Sequence, residues 1–262
     1  MMLQATLSTL VPAARRESLA AAVRVRTSCR AFANAPTPQE VAALAYHAGR
    51  YALPGAFLTL LDVPEDAFTN ITGCRKAAAV CLQGDSWLHR LNAGAIGEAF
   101  VLEATAMGLG TCWVGGSFRR EALKSRIPQG MSLLCVIAVG RPCIPLTPPP
   151  TRPRMSPEQL CRGRWRQWPE ELIRAATLVQ QAPSGMNQQP WTLEVTPNGE
   201  FAVQSPVASA LDAGIAILHA ELALITPHTW RFSDAPDAPL PWRSRVDEAR
   251  RCSKSDTKGT PD

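Results

Sequence analysis

Residues 86–116 read SWLHRLNAGAIGEAFVLEATAMGLGTCWVGG, and this stretch governs how the rest of the chain is interpreted. Apolar side chains recur at spacings of three and four residues from Trp87 to Ala106, which predicts a long helix over 86–107. Other apolar residues lie off that stripe, so we expect the helix to be buried on most of its faces. The glycines after it end the helix, and the apolar residues 111–114 predict a strand.

Shorter elements flank this helix on both sides. Other helices are predicted at 15–25, 37–48, 169–181 and 209–225. Strands are predicted at 56–63, 76–82, 133–139, 191–195 and 201–204. The helix over 37–48 begins with a capping box, Thr37-Pro38-Gln39-Glu40, which is a strong local start signal. The last two strands are expected to pair across a turn at 196–199.

The size and composition of the chain indicate a globular protein. It has 262 residues, of which 46% are hydrophobic and 19% are charged, so it is long enough to bury a core and is not disordered throughout. No stretch approaches the roughly 20 apolar residues that span a bilayer. Arg15 and Arg16 follow the apolar N-terminus instead of preceding it, which is the wrong order for a signal peptide. We therefore expect a soluble, cytoplasmic protein.

The charged residues and the residues that can bind metals indicate which kinds of ligand the protein can bind. The 27 Lys and Arg exceed the 22 Asp and Glu, and the net charge of +5 suits anionic small molecules but is too weak and dispersed for nucleic acid. The eight cysteines form no Cys-x-x-Cys pair, and the four histidines have no metal-ligand spacing, so no metal site is predicted. Hydrolase-elbow, Walker and Rossmann motifs are missing from the sequence.

A proline-rich segment divides the chain. Seven prolines between positions 142 and 157 predict an extended connector over 142–168. It separates a first unit, 13–141, from a second, shorter unit, 169–232, and a polar tail over 233–262 is expected to be disordered at its end. Each unit has a helix, a Pro-Gly or Pro-Ser-Gly turn, a strand and an apolar helix that carries a Glu. Internal duplication is one interpretation of this repetition, and chance is the other.

Two basic clusters are candidates for binding an anion. Arg26-x-Ser28-x-Arg30, the basic corner, places two guanidinium groups and a hydroxyl within five residues, which suits a phosphate. Arg152 and Arg154 form a second basic pair after the prolines. Exposed arginines on a protein surface can have the same spacing without binding any ligand. For each cluster taken alone, the spacing favours this second interpretation.

Two further segments are candidates for binding a flat heterocycle. The polar loop at 183–191, PSGMNQQPW, is dense in groups that both donate and accept hydrogen bonds. The glycines of 108–116 allow close approach of the backbone to a ligand. A plain connection between elements explains Gly108 and Gly110, but it does not explain Gly115 and Gly116.

Together these segments resemble the nitroreductase family of FMN-dependent oxidoreductases. Its members have an Arg-x-Ser-x-Arg/Lys corner, a Pro-Ser-x-x-Asn-x-Gln-Pro-Trp loop and a long helix that ends in Gly-Leu-Gly-Thr-Cys-Trp-x-Gly. The corresponding residues here are 26–30, 183–191 and 108–115. Ordinary members place the Pro-Ser loop soon after the corner, whereas here it follows the prolines. That order is similar to the TM nitroreductase branch, in which one chain contains two half-subunits.

The resemblance implies a fold and a stoichiometry. The fold is α+β, with a central, mostly antiparallel sheet flanked by helices and two half-subunits that form an internal pseudo-dimer. One FMN per chain is implied, because residues 53–57 lack Asn and Gln and the second half lacks an Arg-x-Ser-x-Arg corner. A monomer is expected, and a homodimer is also compatible with the sequence.

The resemblance also implies which residues bind FMN. The phosphate would be held by Arg26, Ser28 and Arg30, with Arg152 or Arg154 closing over it. The ring or the ribityl hydroxyls would be met by Pro183, Ser184, Asn187 and Gln189. The N5 edge of the ring would lie near the backbone of Cys112, Trp113, Val114 and Gly115. No side chain is assigned to catalysis, because the flavin carries the hydride chemistry.

The implied function is an FMN-dependent oxidoreductase. It would move electrons from NAD(P)H to an electron-poor acceptor, such as a nitroaromatic or a quinone, by a ping-pong mechanism. One alternative is a flavin-binding protein without turnover, such as a sensor, a store or a flavin-modifying relative. Another is a protein that has kept the fold and binds no flavin.

Overall fold

The computed structural model describes residues 10–146, 153–195 and 201–225. Its helices are α1 (Ala13–Val25), α2 (Pro38–Arg50), α3 (Trp87–Ala106), α4 (Glu121–Lys124), α5 (Pro157–Leu160), α6 (Glu170–Gln180) and α7 (Ala210–Glu221). Its strands are β1 (Phe32–Asn34), β2 (Ala56–Asp62), β3 (Lys76–Leu82), β4 (Gly110–Val114), β5 (Ser132–Pro142), β6 (Thr192–Val195) and β7 (Phe201–Gln204). Every helix and strand predicted above has a counterpart here. The predicted turn at 196–199 and the tail at 233–262 lie outside the described residues.

Strand β5 is the centre of a five-stranded sheet. It pairs with β1, β3 and β4, and β2 pairs with the far side of β3. Each of these pairings is antiparallel. Strands β6 and β7, from the part of the chain after the prolines, form a separate antiparallel pair. The predicted α+β fold with a central antiparallel sheet flanked by helices is therefore confirmed.

The start of α2 shows how local sequence sets an element boundary. The Thr37 hydroxyl accepts the Glu40 N–H at 3.3 Å, and the Glu40 carboxylate accepts the Thr37 N–H at 2.7 Å. Pro38 occupies the first helical position, where its missing N–H costs nothing. The capping box predicted from the sequence is therefore formed, and it fixes the direction in which the chain enters α2.

Helix α3 is the core of the molecule. Ser86 caps it by accepting the His89 N–H at 3.2 Å, and residues 91–105 are buried without interruption. This burial confirms the prediction of a helix that is apolar on most faces, and its partners are the sheet on one side and α7 on another. Of the helices in the described ranges, not one combines the length and the apolar character that crossing a membrane requires.

Two glycines bring the backbones of α3 and α7 into direct contact. A Cβ atom built on Gly94 would lie 2.0 Å from the carbonyl oxygen of Leu211, and one built on Gly214 would lie 1.9 Å from that of Leu91. Gly94 follows Leu91 by three residues and contacts Leu211, and Gly214 follows Leu211 by three residues and contacts Leu91. The contact is therefore reciprocal, as in an interface with two-fold symmetry.

Glu103 of α3 ties the first two helices to the core. Its carboxylate accepts the Tyr51 hydroxyl at 2.7 Å and the Arg15 Nε–H at 3.3 Å, and His47 Nδ1 lies 3.6 Å away. Burial by itself raises the pKa of Glu103, but the hydrogen bonds from Arg15 and Tyr51 outweigh it and hold the pKa below its usual range. This carboxylate therefore stabilises the fold in its ionised form.

We expect Glu103→Gln to lower the free energy of unfolding by about 1–2 kcal/mol at neutral pH. The folded pKa lies below the unfolded one, so the contribution of the carboxylate is present above the unfolded pKa and disappears as the pH falls through the folded value. Denaturant unfolding of the parent protein and of Glu103→Gln, repeated from neutral to acidic pH, should show their free energies of unfolding converging as the pH falls. Glu65→Gln, at an exposed carboxylate paired with Arg75, is the control and should change little. A difference that is constant with pH would contradict the assignment.

Candidate functional site

The basic corner lies directly against β4. Ser28 and Thr111 form a parallel bridge, and the Cys29 N–H donates to the Thr111 carbonyl at 2.8 Å. A Cβ atom on Gly110 would lie 2.8 Å from the Cβ of Cys29, so glycine is required for this close approach. The structure therefore brings together two of the segments that the sequence singled out, the corner and the glycine-rich strand.

The two arginines of the corner have different environments. Arg26 is buried, with its side chain 3% exposed and its Nε 4.0 Å from a Glu98 carboxylate oxygen. Arg30 is exposed, and among the described residues its backbone carbonyl accepts the Thr72 N–H at 2.9 Å. Arg30 is thus available to a ligand from solvent, whereas Arg26 belongs to the interior side of the site.

The predicted residues of β4 divide between core and surface. Cys112 and Val114 are buried, while Trp113 is half-buried and its indole Nε1 donates to Glu98 at 2.9 Å. Gly115 is exposed, and a Cβ atom built on it would meet nothing within 4 Å. The same holds for Gly116, so the backbone beyond β4 is open to a flat ligand.

The polar loop is held by its own amides and by the segment before α5. The Ser184 hydroxyl accepts the Gln189 N–H at 2.8 Å, and the Gln189 side-chain oxygen accepts the Met155 N–H at 2.9 Å. Asn187 donates to the Pro153 carbonyl at 2.9 Å and accepts a hydrogen bond from Arg154. Four of the predicted residues thus form one connected group, beside the half-buried Pro183. Arg152 lies outside the described residues.

The backbone of the polar loop is strained. Met186, Asn187 and Gln189 have φ angles of 49°, 58° and 48°, in the left-handed region that disfavours residues with a side chain. Met186 is also 88% exposed, which is unusual for a large apolar residue. Strain of this kind concentrates at binding sites, where the surrounding structure holds the backbone in place.

Asp212 anchors the loop to α7. It accepts the Gly185 N–H at 3.1 Å, and burial raises its pKa. The polar loop is therefore attached to α7, the helix that packs against α3.

Residue-type reasoning on the sequence missed Glu98. This carboxylate is completely buried in α3 and lies at the centre of a group that contains Arg26, Trp113 and His219. The available signal was the presence of a charged residue in a helix that is apolar on most faces, since such residues are rarely buried without partners. His219 has no metal-ligand spacing in the sequence, and the resemblance to the TM nitroreductase branch placed it, with Asp212, Gly214 and Ile215, on a second buried helix.

The residues present fit flavin mononucleotide in charge and in hydrogen-bonding character. The exposed guanidinium of Arg30 and the hydroxyl of Ser28 are groups that bind a phosphate. The open backbone at Gly115 and Gly116 suits a flat ring, and the polar loop supplies hydroxyl and amide groups. In that loop Asn187 is exposed and Ser184 is half-buried, whereas the amide of Gln189 is buried and hydrogen-bonded to Met155 and Asn187.

The antiparallel sheet, the buried central helix and this site define an α+β protein of the nitroreductase fold. The chain belongs to the family described as "Putative TM nitroreductase", whose model matches residues 18–224. The predicted family is therefore confirmed.

A solved structure shares this fold, and a second one is similar to part of the chain. A "putative nitroreductase" from Thermotoga maritima MSB8 is 24% identical, with a TM-score of 0.58 over 78% of this chain and 82% of that one. A "putative nitroreductase in complex with FMN" from Desulfovibrio desulfuricans is 20% identical, with a TM-score of 0.43 over 54% of this chain and 94% of that one. The chain has no significant match among curated proteins.

Proposed function

We propose that this protein is an FMN-dependent oxidoreductase that moves electrons from NAD(P)H to an electron-poor acceptor, such as a nitroaromatic or a quinone. The observation that carries the proposal is the basic corner seated on β4 beside two open glycines, in a chain of the nitroreductase family. The mechanism is ping-pong, so the oxidised nucleotide leaves before the acceptor binds.

The chemistry that FMN supplies when bound is acceptance of a hydride from NAD(P)H and return of the electrons to the acceptor. The chain's own residues bind and orient. Arg30 and Ser28 hold the phosphate, and the interior position of Arg26 adds positive charge beneath it. The backbone of residues 113–115 would contact the ring, and Cys112 and Val114 hold β4 in place by packing in the core.

The second half completes the site with the polar loop. Ser184 and Asn187 would bind the ring or the ribityl hydroxyls, and Gln189, predicted for the same role, would hold the loop in place through Met155. Arg154 would reach the site through its contact with Asn187. The strained backbone presents these groups in one fixed arrangement, because hydrogen bonds within the loop and to 153–155 hold it. A prearranged loop loses less conformational entropy when it binds a ligand.

We infer that residues 13–141 and 169–232 are two half-subunits, joined by 142–168. The reciprocal contact of α3 with α7 supports this, because it relates Leu91 to Leu211 and Gly94 to Gly214. The same spacing along the chain relates Asn92 of α3 to Asp212 of α7, and each of these side chains is hydrogen-bonded to the backbone of a turn. Asn92 donates to the carbonyl of Pro54 at 3.0 Å, and Asp212 accepts the N–H of Gly185.

We infer one FMN per chain. The turn at 53–55 corresponds to the polar loop, but a histidine ring stands over it. A Cβ atom on Gly55 would lie 2.2 Å from the His89 ring, and Gly55 has a φ of +73°. A side chain for binding flavin is thus absent from this turn, and the space above the glycine is filled.

The proposal is tested by the visible spectrum of the purified protein under anaerobic conditions. We expect the spectrum of bound FMN, at one flavin per chain by absorbance and mass spectrometry. Addition of NADH or NADPH should bleach it, and a nitroaromatic or quinone added afterwards should restore it. Steady-state rates with both substrates varied should give the parallel lines of a ping-pong mechanism.

Each other outcome excludes part of the proposal. Bound FMN that neither nucleotide bleaches would contradict turnover with NAD(P)H and leave a flavin-binding protein. A colourless protein that does not take up added FMN would contradict the flavin assignment altogether. Two flavins per chain would contradict the closure of the second site by His89.

A further inference from the structure

A buried histidine from the second half meets a buried glutamate from the first. His219 of α7 and Glu98 of α3 are both completely buried. His219 Nε2 lies 2.9 Å from Glu98 Oε1, and His219 Nδ1 lies 2.9 Å from the carbonyl oxygen of Leu178. The contact joins positions 121 residues apart and crosses the packed faces of α3 and α7.

Counting protons constrains this contact. A carbonyl oxygen only accepts hydrogen bonds, so Nδ1 of His219 carries a proton. The contact between His219 Nε2 and the Glu98 oxygen also needs a proton. Without one, two lone pairs would face each other in the interior. The pair must therefore be either a histidinium with a carboxylate or a neutral histidine with a carboxylic acid.

The other neighbours of Glu98 favour the carboxylate. Trp113 Nε1 donates to its second oxygen at 2.9 Å, and Arg26 Nε lies 4.0 Å from the first. A hydrogen-bond donor and a nearby cation both stabilise the ionised form of a carboxyl group. The shared proton is therefore assigned to His219.

We propose that Glu98 and His219 form a buried carboxylate–histidinium pair that positions Arg26 and Trp113 in the flavin site. Glu98 is the common partner, because Arg26 comes from the basic corner and Trp113 from β4. His219 is the countercharge, supplied by the second half. The flavin part of this inference rests on the proposed function, and the protonation state of the pair does not.

The chain offers a variant that separates charge from shape. In Glu98→Gln, the amide can donate to Nε2 of a neutral His219 and accept from the Trp113 indole, so both hydrogen bonds survive. The charge of the pair also stays at zero, since the carboxylate and the histidinium are neutralised together. Glu98→Gln therefore removes the ion pair while it keeps the hydrogen bonds to Trp113 and His219, and its readout is the protonation state of His219.

Substituting His219 changes the net charge of the pair. In His219→Gln, the amide still donates to Glu98, but the carboxylate keeps its negative charge without the histidinium. We expect FMN to bind about tenfold more weakly and its reduction potential to fall, because added negative charge opposes both the phosphate and electron uptake. The double variant Glu98→Gln with His219→Gln is neutral again and should return to within about threefold of the parent protein.

The test combines two measurements on the full chain. Nitrogen-15 NMR of the flavin-free protein at neutral pH should show a histidine with protons on both ring nitrogens, which becomes singly protonated in Glu98→Gln. The indole N–H resonance of Trp113 should move in the same variant. Fluorescence titration with FMN and redox titration of the bound flavin then compare the three variants with the parent protein.

The outcomes separate the two proposals. A single ring proton on His219 in the parent protein would overturn the inference, whether or not FMN binds. A double variant that binds FMN no better than His219→Gln would overturn the charge argument, because packing alone would then explain the loss. Failure of the parent protein to bind FMN would contradict the proposed function and the flavin part of the inference, while the NMR result would still decide the protonation of the pair.

Discussion

Gly214→Ala is expected to lower the free energy of unfolding by about 3 kcal/mol. The added methyl group would lie 1.9 Å from the carbonyl oxygen of Leu91, and that oxygen is held by the backbone of α3 and cannot turn aside. The two helices must therefore separate locally, which disturbs the best-packed contact of the core. Denaturant unfolding measures the effect, and Gly94→Ala should show a loss of similar size because the contact is reciprocal.

A matched control comes from another helical glycine. Gly49 of α2 is exposed and has nothing within 4 Å of the position of a Cβ atom. Gly49→Ala should therefore raise the free energy of unfolding by up to about 1 kcal/mol, through helix propensity alone. If Gly214→Ala behaved like Gly49→Ala, the close contact between α3 and α7 would be contradicted.

Arg30→Ala is expected to weaken FMN binding by about ten- to a hundredfold. The removed group would make a charge-assisted hydrogen bond to the phosphate, and such bonds contribute roughly 1.5–3 kcal/mol. Because the Arg30 side chain is exposed, its loss should leave the fold intact. Quenching of flavin fluorescence during titration of the flavin-free protein measures the dissociation constant.

Arg24→Ala controls for the change in net charge. Arg24 is also exposed, lies in the last turn of α1 and is close in sequence to the basic corner, but it is not part of it. We expect less than a threefold effect on FMN binding, because an exposed charge that makes no hydrogen bond to the phosphate acts through solvent and is screened by salt. Equal effects of the two substitutions would show that Arg30 acts only through net charge and would contradict its placement on the phosphate.

The elements around the core were predictable because their signals are local. Thr37 and Glu40 cap each other within one turn, and Ser86 caps α3 through the N–H of His89. The uninterrupted apolar residues of β3 and β5 are typical of strands that lie inside a sheet. The resemblance to a known family then supplied the arrangement of these elements, which periodicity alone does not determine.

The sequence indicated which residue types form the candidate site, but it did not indicate which residues contact one another there. The sequence indicated Asn187 and Gln189 as groups for a ligand, yet in the structure their amides also hold Pro153 and Met155. That contact depends on how the chain after the prolines folds back onto the loop. No local pattern near Asn187 encodes it.

Glu98 could not be assigned a role from its neighbours in the sequence. Its partners come from the basic corner, from β4 and from α7, and even the nearest along the chain, Trp113, lies 15 residues away. Only its charge within an apolar helix indicated that a partner must exist. The identity of that partner emerges when α3 and α7 are packed together.

The contact between α3 and α7 also bears on how molecules reach the site. Because backbone meets backbone at Gly94 and Gly214, the two helices have no intervening layer of side chains along which to slide. A movement that separates α3 from α7 would have to break both contacts and the hydrogen bond between Glu98 and His219. We therefore expect α3 and α7 to keep the same relative position whether or not a ligand is bound. Access to the site would then depend on surface side chains and loops and not on a separation of these two helices.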